Sequence, residues 1–384
     1  MSNWPIMPLI EAADIASGIT LGRKTKETDL FTVPYLRVAN VQDGHLDLDE
    51  IKQIEVTRSE LNKWRLAAGD LLLTEGGDLD KLGRGTCWRE ELPLCIHQNH
   101  IFRVRLELDT HDPEFVAYQV GSDYGKAYFL KHAKKTTGIA SINKKVLSVF
   151  PLISPPLKEQ RQIAACLKAQ LAEVDKARQA AEAQLRETTK LADAIVFGSI
   201  RSGKTTKHNL GEVLQEVKRG IGDSWADYPV LGATRDGLAP AKEPPGKKPE
   251  RYKPVFPGTV FYNPMRILIG SIALVDDDDT PGITSPDYVA LQGRSGMVDS
   301  RWFYYWLRSP LGEQCILSLA RGAVRERMLF NRLAEGEIEL PDYDVQVKAS
   351  AALAALKPMR HAIESKINDI NILPQKILAQ AFEM

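Results

Sequence analysis

The chain has 384 residues, 43% of them hydrophobic, which is enough apolar material for two ordinary globular cores and too much for a disordered polymer. Lysine plus arginine balance aspartate plus glutamate at 50 each, so no net field draws the protein to a polyanion, and any nucleic-acid contact must come from local clusters of charge. The opening MSNWPIMPLIEAAD has no basic region followed by an apolar run and a cleavage site, and no stretch approaches ~18 consecutive apolar residues; both predict a cytoplasmic chain without a membrane partner.

Residues 1–153 read as a first head. Ile10 to Thr20 is an amphipathic stretch ending at glycine, followed by the extended VPYLRVANVQDGHL. AAGDLLLTEGG, beginning at Ala67, is a turn glycine followed by an apolar strand. HQNHIFRVRL predicts another strand; His97 and His100 stand there among polar residues, without an HExxH pattern. EFVAYQVGSDYGKAYF is an aromatic amphipathic helix, which leads through a basic loop to SVFPLISPP. Cys87, Cys95, Cys166 and Cys315 show neither CxxC pairing nor metal-ligand spacing, as expected of reduced thiols and of no metal site.

A long helix is predicted over 154–200, with Ser154 as capping hydroxyl and Pro155 and Pro156 in its first turn. Ile163, Leu167, Leu171, Val174, Ala181, Leu185, Ala192 and Ile195 form one apolar stripe over roughly 60 Å. Gly198 to Thr205 then spells the phosphate-loop pattern GxxxxGKT, and Ile272-Ala-Leu-Val-Asp276-Asp277 resembles its magnesium-holding strand, so the alternative reading is a P-loop ATPase. Its context is wrong at both ends: a helical pattern precedes the glycines, and the polar connector that follows leads to Asn209, a candidate cap.

Residues 201–343 repeat the first head in order, which predicts a duplicated domain. Leu210 to Ile221 answers Ile10 to Thr20, YPVLGATRDGLA answers the extended segment, and FPGTVFYNPMR from Phe256 answers Ala67 onward. SPDYVALQG, RWFYYWLRSPLGEQCI and GEIELPDYD complete the match. Residues 344–384 give a second helix whose stripe, Val345, Ala352, Leu356, Ile363, Ile367, Ile370, Ile377 and Ala381, mirrors the first; Pro358 and Pro374 predict kinks or short breaks. The two stripes predict mutual antiparallel pairing, the alternative being that each helix packs on its own domain. The fold expected is α+β, two similar heads separated by two long helices.

PPLKEQRQIAACLKAQLAEVD at Pro155 to Asp175 resembles the central helix of type I restriction-modification specificity subunits. AGDLLLTEGGDLDKLGRG, TTGIASINKKVLSVFPLISPPLKEQ and RILIGSIALVDDDDTPGITSPDYVAL resemble further signatures of that family. The resemblance implies two target-recognition domains about a pseudo-twofold axis, each reading half of a bipartite double-stranded DNA site, with the helices fixing the gap. It implies two methyltransferase subunits as partners, and a motor-nuclease subunit that they recruit. S-adenosylmethionine, ATP and magnesium would then belong to the partners, and this chain would hold no cofactor and no catalytic residue. The chain departs from the pattern in the prolines of its second helix and in lacking a counterpart to Gly76-Gly77 in the second head. A specificity module of another defence system on the same scaffold is a further alternative.

Candidate DNA contacts in the first head are Arg23, Lys24, Lys26, Lys81, Arg84, Lys131, Lys134, Lys135, Thr136, Thr137, Asn143, Lys144 and Lys145. Those in the second are Arg219, Arg235, Lys247, Lys248, Arg251, Arg266, Arg321, Arg325, Arg327 and Arg332. Lys131 to Thr137 and Arg321 to Arg332 stand out because both follow an aromatic helix. Other motifs read as decoys. Asn263-Pro264-Met265 lacks the rest of an amino-methyltransferase motif, Glu364-Ser365-Lys366 is a surface charge pair, and Asp276 to Asp279 reads as a solvated turn.

Overall fold

A computed structural model describes residues 4–23, 29–78, 82–136, 139–320 and 327–382. The chain falls into two compact units, Met1–Gln179 with Asn368–Met384, and Ala180–Ile367. Among the described residues no helix is long and apolar enough to cross a membrane.

The first unit is built on an antiparallel sheet in the order Ala13–Ser17, Ile101–Leu106, Leu71–Thr74, Gly85–Cys87. Side chains alternate across a strand. Leu71 and Leu73 therefore enter the core that holds Phe115, Phe129 and Phe150, while Leu72 enters a second core with Leu36 and Trp88. A strand covered on both faces needs an unbroken apolar run, which is why this one reads LLL. The second unit repeats the order with Leu214–Glu216, Val289–Gly293, Thr259–Tyr262 and Ile272–Val275. Val260 and Tyr262 share one core with Trp302, and Phe261 shares another with Val255.

The turns before the central strands correspond atom by atom. Gly69 and Gly258 stand at φ +86° and +82°, a conformation that favours glycine. The next residue, Asp70 or Thr259, accepts a hydrogen bond from the backbone N–H of Ala67 (2.7 Å) or Phe256 (3.3 Å). Ile10 to Thr20 resolves into a 3-10 turn, Leu9–Glu11, and a strand; Leu210 to Ile221 likewise becomes a helical turn, Leu210–Val213, and a strand. Each unit then has two short helices, Pro113–Gly121 with Asp123–His132, and Ser300–Arg308 with Pro310–Leu319. Asp112 and Asp299 cap the first of each pair, accepting from the backbone of Phe115 and Trp302 at 2.9 Å. In each unit the first strand also pairs with the last: Ile6–Pro8 with Pro151–Ile153, and Thr205–Asn209 with Glu337–Pro341.

The central helix runs unbroken over Leu157–Arg201, 45 residues or about 68 Å. Ser154 does not serve as its capping hydroxyl, because its Oγ is hydrogen-bonded to His111 Nε2 at 2.9 Å. The C-terminal helix, Tyr343–Phe382, passes through Pro358 and Pro374 without the breaks expected there. Each proline forfeits one backbone hydrogen bond, and the helix continues through both on the bonds of its other turns. The stripe read from sequence holds except at Ala352, which is exposed while its neighbour Leu353 is fully buried.

In the first unit, Ile163, Leu167 and Leu171 of the central helix share a core with Ile377, Leu378, Ala381 and Phe382 of the C-terminal helix. In the second, Ala192, Ile195 and Val196 meet Leu353 and Leu356. The start of one helix thus lies with the end of the other in both, which is antiparallel pairing. Val174, Leu185, Ile363 and Ile367 are half-buried, and Ile370 is buried. The helices also pack on their heads, as in the ring contact of Phe115 with Phe382 at 5.4 Å and the bond from Trp302 Nε1 to Ser199 Oγ at 2.8 Å.

Candidate nucleic-acid interface

In the first unit the chain leaving strand Leu71–Thr74 enters a small sheet, with Gly76–Gly77 at one edge, then Ile139–Ser141, then Lys134–Thr136. A Cβ at Gly76 would come within 2.7 Å of the Ala140 carbonyl, so this close approach requires glycine. The Glu75 carbonyl accepts from the Ile142 N–H at 2.8 Å, and its carboxylate is 2.7 Å from His100 Nδ1. That sheet exposes Lys134 and Lys135; Lys131 is exposed in the last turn of the preceding helix. Lys144 and Lys145 are exposed at the start of helix Lys144–Ser148, where Asn143 caps the Val146 N–H at 3.0 Å. These amines extend into water from strand and helix backbone, a disposition that suits phosphate contacts.

The arginines of this unit are placed differently. Arg23 grips both oxygens of Glu60 at 2.5 and 2.6 Å and donates to the Glu55 carbonyl. Glu60 caps helix Arg58–Trp64 with Thr57, and the Arg23 guanidinium holds its carboxyl down at about 2. Arg84 donates to Gln42 Oε1 at 2.6 Å. Lys24, Lys26, Lys81 and Thr137 lie outside the described residues, and the side chain of Thr136 with them.

In the second unit the Pro264 carbonyl accepts from the Met328 N–H at 3.0 Å, the counterpart of the Glu75 bond to Ile142. Met328, which follows Arg327, thus meets the same point of its head as Ile142, which follows the lysine hairpin, does in the first unit. Arg321 and Arg325 lie outside the described residues. Arg327 is exposed and 3.5 Å from Asp287. Arg219, Lys247, Lys248, Arg251 and Arg266 are exposed. Arg235 is exposed at a hairpin turn, its Nε donating to the Ile269 carbonyl at 3.4 Å. Arg332 caps the helix before it, donating from Nε and Nη2 to the Leu319 carbonyl at 3.0 and 2.8 Å. Sequence reasoning missed Arg308, whose guanidinium joins the carbonyls of Gly270, Ile272 and Arg235. Its only sequence signal was its place at the end of an aromatic helix.

The phosphate-loop alternative does not survive. Gly198 lies inside the central helix, and Lys204 is followed by strand Thr205–Asn209, where a phosphate loop needs a helix N-terminus. The connector ends in a capping box of Asn209 and Glu212, as the sequence suggested. Asp277 and Asp278 form an exposed turn, as the sequence suggested, but all four acids of Asp276 to Asp279 are ion-paired. Asp276 is 8% exposed and ion-paired to Arg301, Asp277 is 2.7 Å from the same guanidinium, and Asp278 and Asp279 bind Lys357 at 2.5 and 2.8 Å. Glu364 pairs with Arg360 at 2.8 Å. His97 is fully buried, and neither ring nitrogen has a hydrogen-bond partner among the described residues.

Residues 1–184 match the type I restriction modification DNA specificity domain. The chain is 27% identical over 176 residues to the type I restriction enzyme EcoKI specificity subunit of Escherichia coli K12, which covers 45% of this chain and 38% of that relative. It is 25% identical over 167 residues to a type I restriction enzyme MjaX specificity subunit from Methanocaldococcus jannaschii, covering 43% and 39%. These matches therefore span well under half of either relative. A solved structure described as the structural basis underlying complex assembly and conformational transition of the type I R-M system shares the fold across 99% of this chain and 97% of its own, with a TM-score of 0.66 and 17% identity.

Proposed function

We propose, for a chain that belongs through residues 1–184 to the type I restriction modification DNA specificity domain family, that it is the DNA-reading subunit of such a system. Each unit reads one half of a split double-stranded target, and the helices set the interval between the halves. The observation that carries this reading is the repeat. Both units make the same backbone bond beside the same sheet, Ile142 to Glu75 and Met328 to Pro264, with basic residues preceding it in the sequence, yet differ in the loops around it. A common frame with divergent loops is what two readers of different half-sites need. Exposed lysines and arginines give affinity and register through phosphates, and the loops between them discriminate base edges.

Methyl transfer and cleavage belong, in this reading, to two methyltransferase subunits and a motor-nuclease subunit. Those partners would carry S-adenosylmethionine, ATP and magnesium, leaving this chain without a catalytic centre. The test is to express the chain with its methyltransferase subunits and sequence the modified DNA. A split motif is expected, and exchanging residues 1–153 for another head should change one half only. Deleting whole turns of the central helix should change the interval instead. A contiguous motif, or one altered throughout by a single exchange, overturns the reading.

A further inference from the structure

In the second head no Gly-Gly pair follows the central strand; in its place stands the loop Asn263–Ser271. This loop is closed on itself, with the Asn263 N–H bonded to the Ser271 carbonyl at 3.2 Å, Arg266 to Asn263 at 2.9 Å and Gly270 to Ile267 at 2.9 Å. Asn263 Oδ1 also accepts from the Met265 N–H at 3.0 Å. Buried Pro264 and Ile267 anchor it from below, and Arg308 and Arg235 hold its far side by the carbonyls of Gly270 and Ile269. The loop is braced by these bonds from within and from its far side. It nevertheless exposes three large apolar side chains, Met265 at 49%, Leu268 at 40% and Ile269 at 54%.

Rigid backbone that presents a contiguous apolar surface marks a contact site. Its surroundings say which kind. Exposed Arg266 lies within the loop, with no side-chain hydrogen bond among the described residues, and Arg235 borders it. Met328, bonded to Pro264, directly follows exposed Arg327. Apolar tips beside exposed guanidinium groups complement a double helix, whose phosphates flank a groove floor that is apolar at the 5-methyl groups of thymine. Resting on the reading above, we propose that Met265, Leu268 and Ile269 determine specificity by packing on thymine methyl groups in the major groove. The second head thus reads its half-site by apolar contact, and the first, with glycine and lysines at that place, does so by hydrogen bonds.

The test is selection of random-sequence duplexes by the full-length chain, followed by binding measurements on the duplex selected. Wild type should enrich thymines in one half-site, and replacing each by deoxyuridine should weaken binding about fourfold per methyl lost, the equivalent of ~0.8 kcal/mol for each buried methyl. The variant M265S/L268S/I269S should bind thymine and deoxyuridine duplexes equally, whereas L268M/I269V should keep the wild-type preference. Wild-type binding that is indifferent to deoxyuridine overturns the proposal, as does a serine variant that still discriminates; either would leave the two-headed reading standing. A chain that enriches no split sequence overturns that reading and this one together.

Discussion

The two heads carry an ion pair at the same internal positions with its charges exchanged. Glu114 and Arg301 each stand two residues after the capping aspartate, Asp112 or Asp299. Arg89 and Asp276 each follow the residue whose carbonyl receives the N–H of the turn glycine. In the first unit Arg89 and Lys168 hold Glu114 at 3.0 and 3.1 Å; in the second Asp276 and Asp277 hold Arg301, and their acids push its already high pKa further up. The bonds that satisfy backbone, by contrast, are the same. Gln160 accepts from the Asp112 N–H and donates to the carbonyls of Thr110 and Pro155, and Gln346 does so with Asp299, Met297 and Pro341. A buried peptide group accepts few substitutes for its partner, whereas an ion pair needs only complementarity, so its signs can invert while the frame stays fixed.

The sharpest way to break this equivalence is in the cores. Phe115→Ala and Trp302→Ala should each cost about 3–5 kcal/mol in denaturant unfolding, with Trp302 at the upper end because Ser199 also loses its partner. A loss below about 1 kcal/mol at either position would separate the two cores.

The next difference is set by pH. His97 and Thr284 are equivalent and both fully buried, but the Thr284 hydroxyl donates to the Leu231 carbonyl at 3.0 Å while the imidazole has no such partner. Burial, with Arg103 nearby, pulls His97 down to about 4, against about 6.5 in an unfolded chain. Between those values the unfolded state binds more protons. Stability therefore falls as pH drops through this window, by roughly 3 kcal/mol once it is complete. Hydrogen exchange should quicken first in strand Phe31–Leu36 of the first unit, and His97→Leu should flatten the profile. An equal slope in the variant would assign the acid sensitivity to other groups.

Gln160→Ala and Gln346→Ala should cost the same, roughly 1–3 kcal/mol, since each strands one N–H and two carbonyls. Unequal losses by thermal melting would disprove the equivalence. The smallest effect on stability, under about 0.5 kcal/mol, is expected for Lys134→Ala with Lys135→Ala, which should instead make the dependence of DNA affinity on salt shallower by up to ~2 in logarithmic slope. Arg23→Ala and Arg332→Ala should behave in reverse, lowering stability with little change in that slope, because their guanidinium groups cap and brace helices.

The duplication was legible because it rests on features that sequence displays, such as turn glycines, apolar strands and aromatic helices in one order. The long helices were legible by periodicity, although the run of alanines around Leu353 put Ala352 in the stripe in its place. What sequence hid were pairings across long separations. Nothing near Asp276 announces Arg301 or Lys357, and nothing near Arg23 announces Glu60. Gln160 and Gln346 were in plain view, but a glutamine's role shows only when three distant backbone groups converge on it. The polar residues that follow His97, Gln98 and Asn99, masked its burial, although Cys95 and Ile96 before it are buried as well.

The pairing of each head's first strand with its last has an evolutionary consequence. A head whose entrance and exit are hydrogen-bonded neighbours sits in the chain like an interchangeable cartridge. Recombination at those two seams could deliver a new lobe to an unaltered chassis, because the joints are defined by main-chain ladders that any compatible sequence can form. Novel recognition would then arise by trading whole lobes, with no need to refashion the rods that carry them.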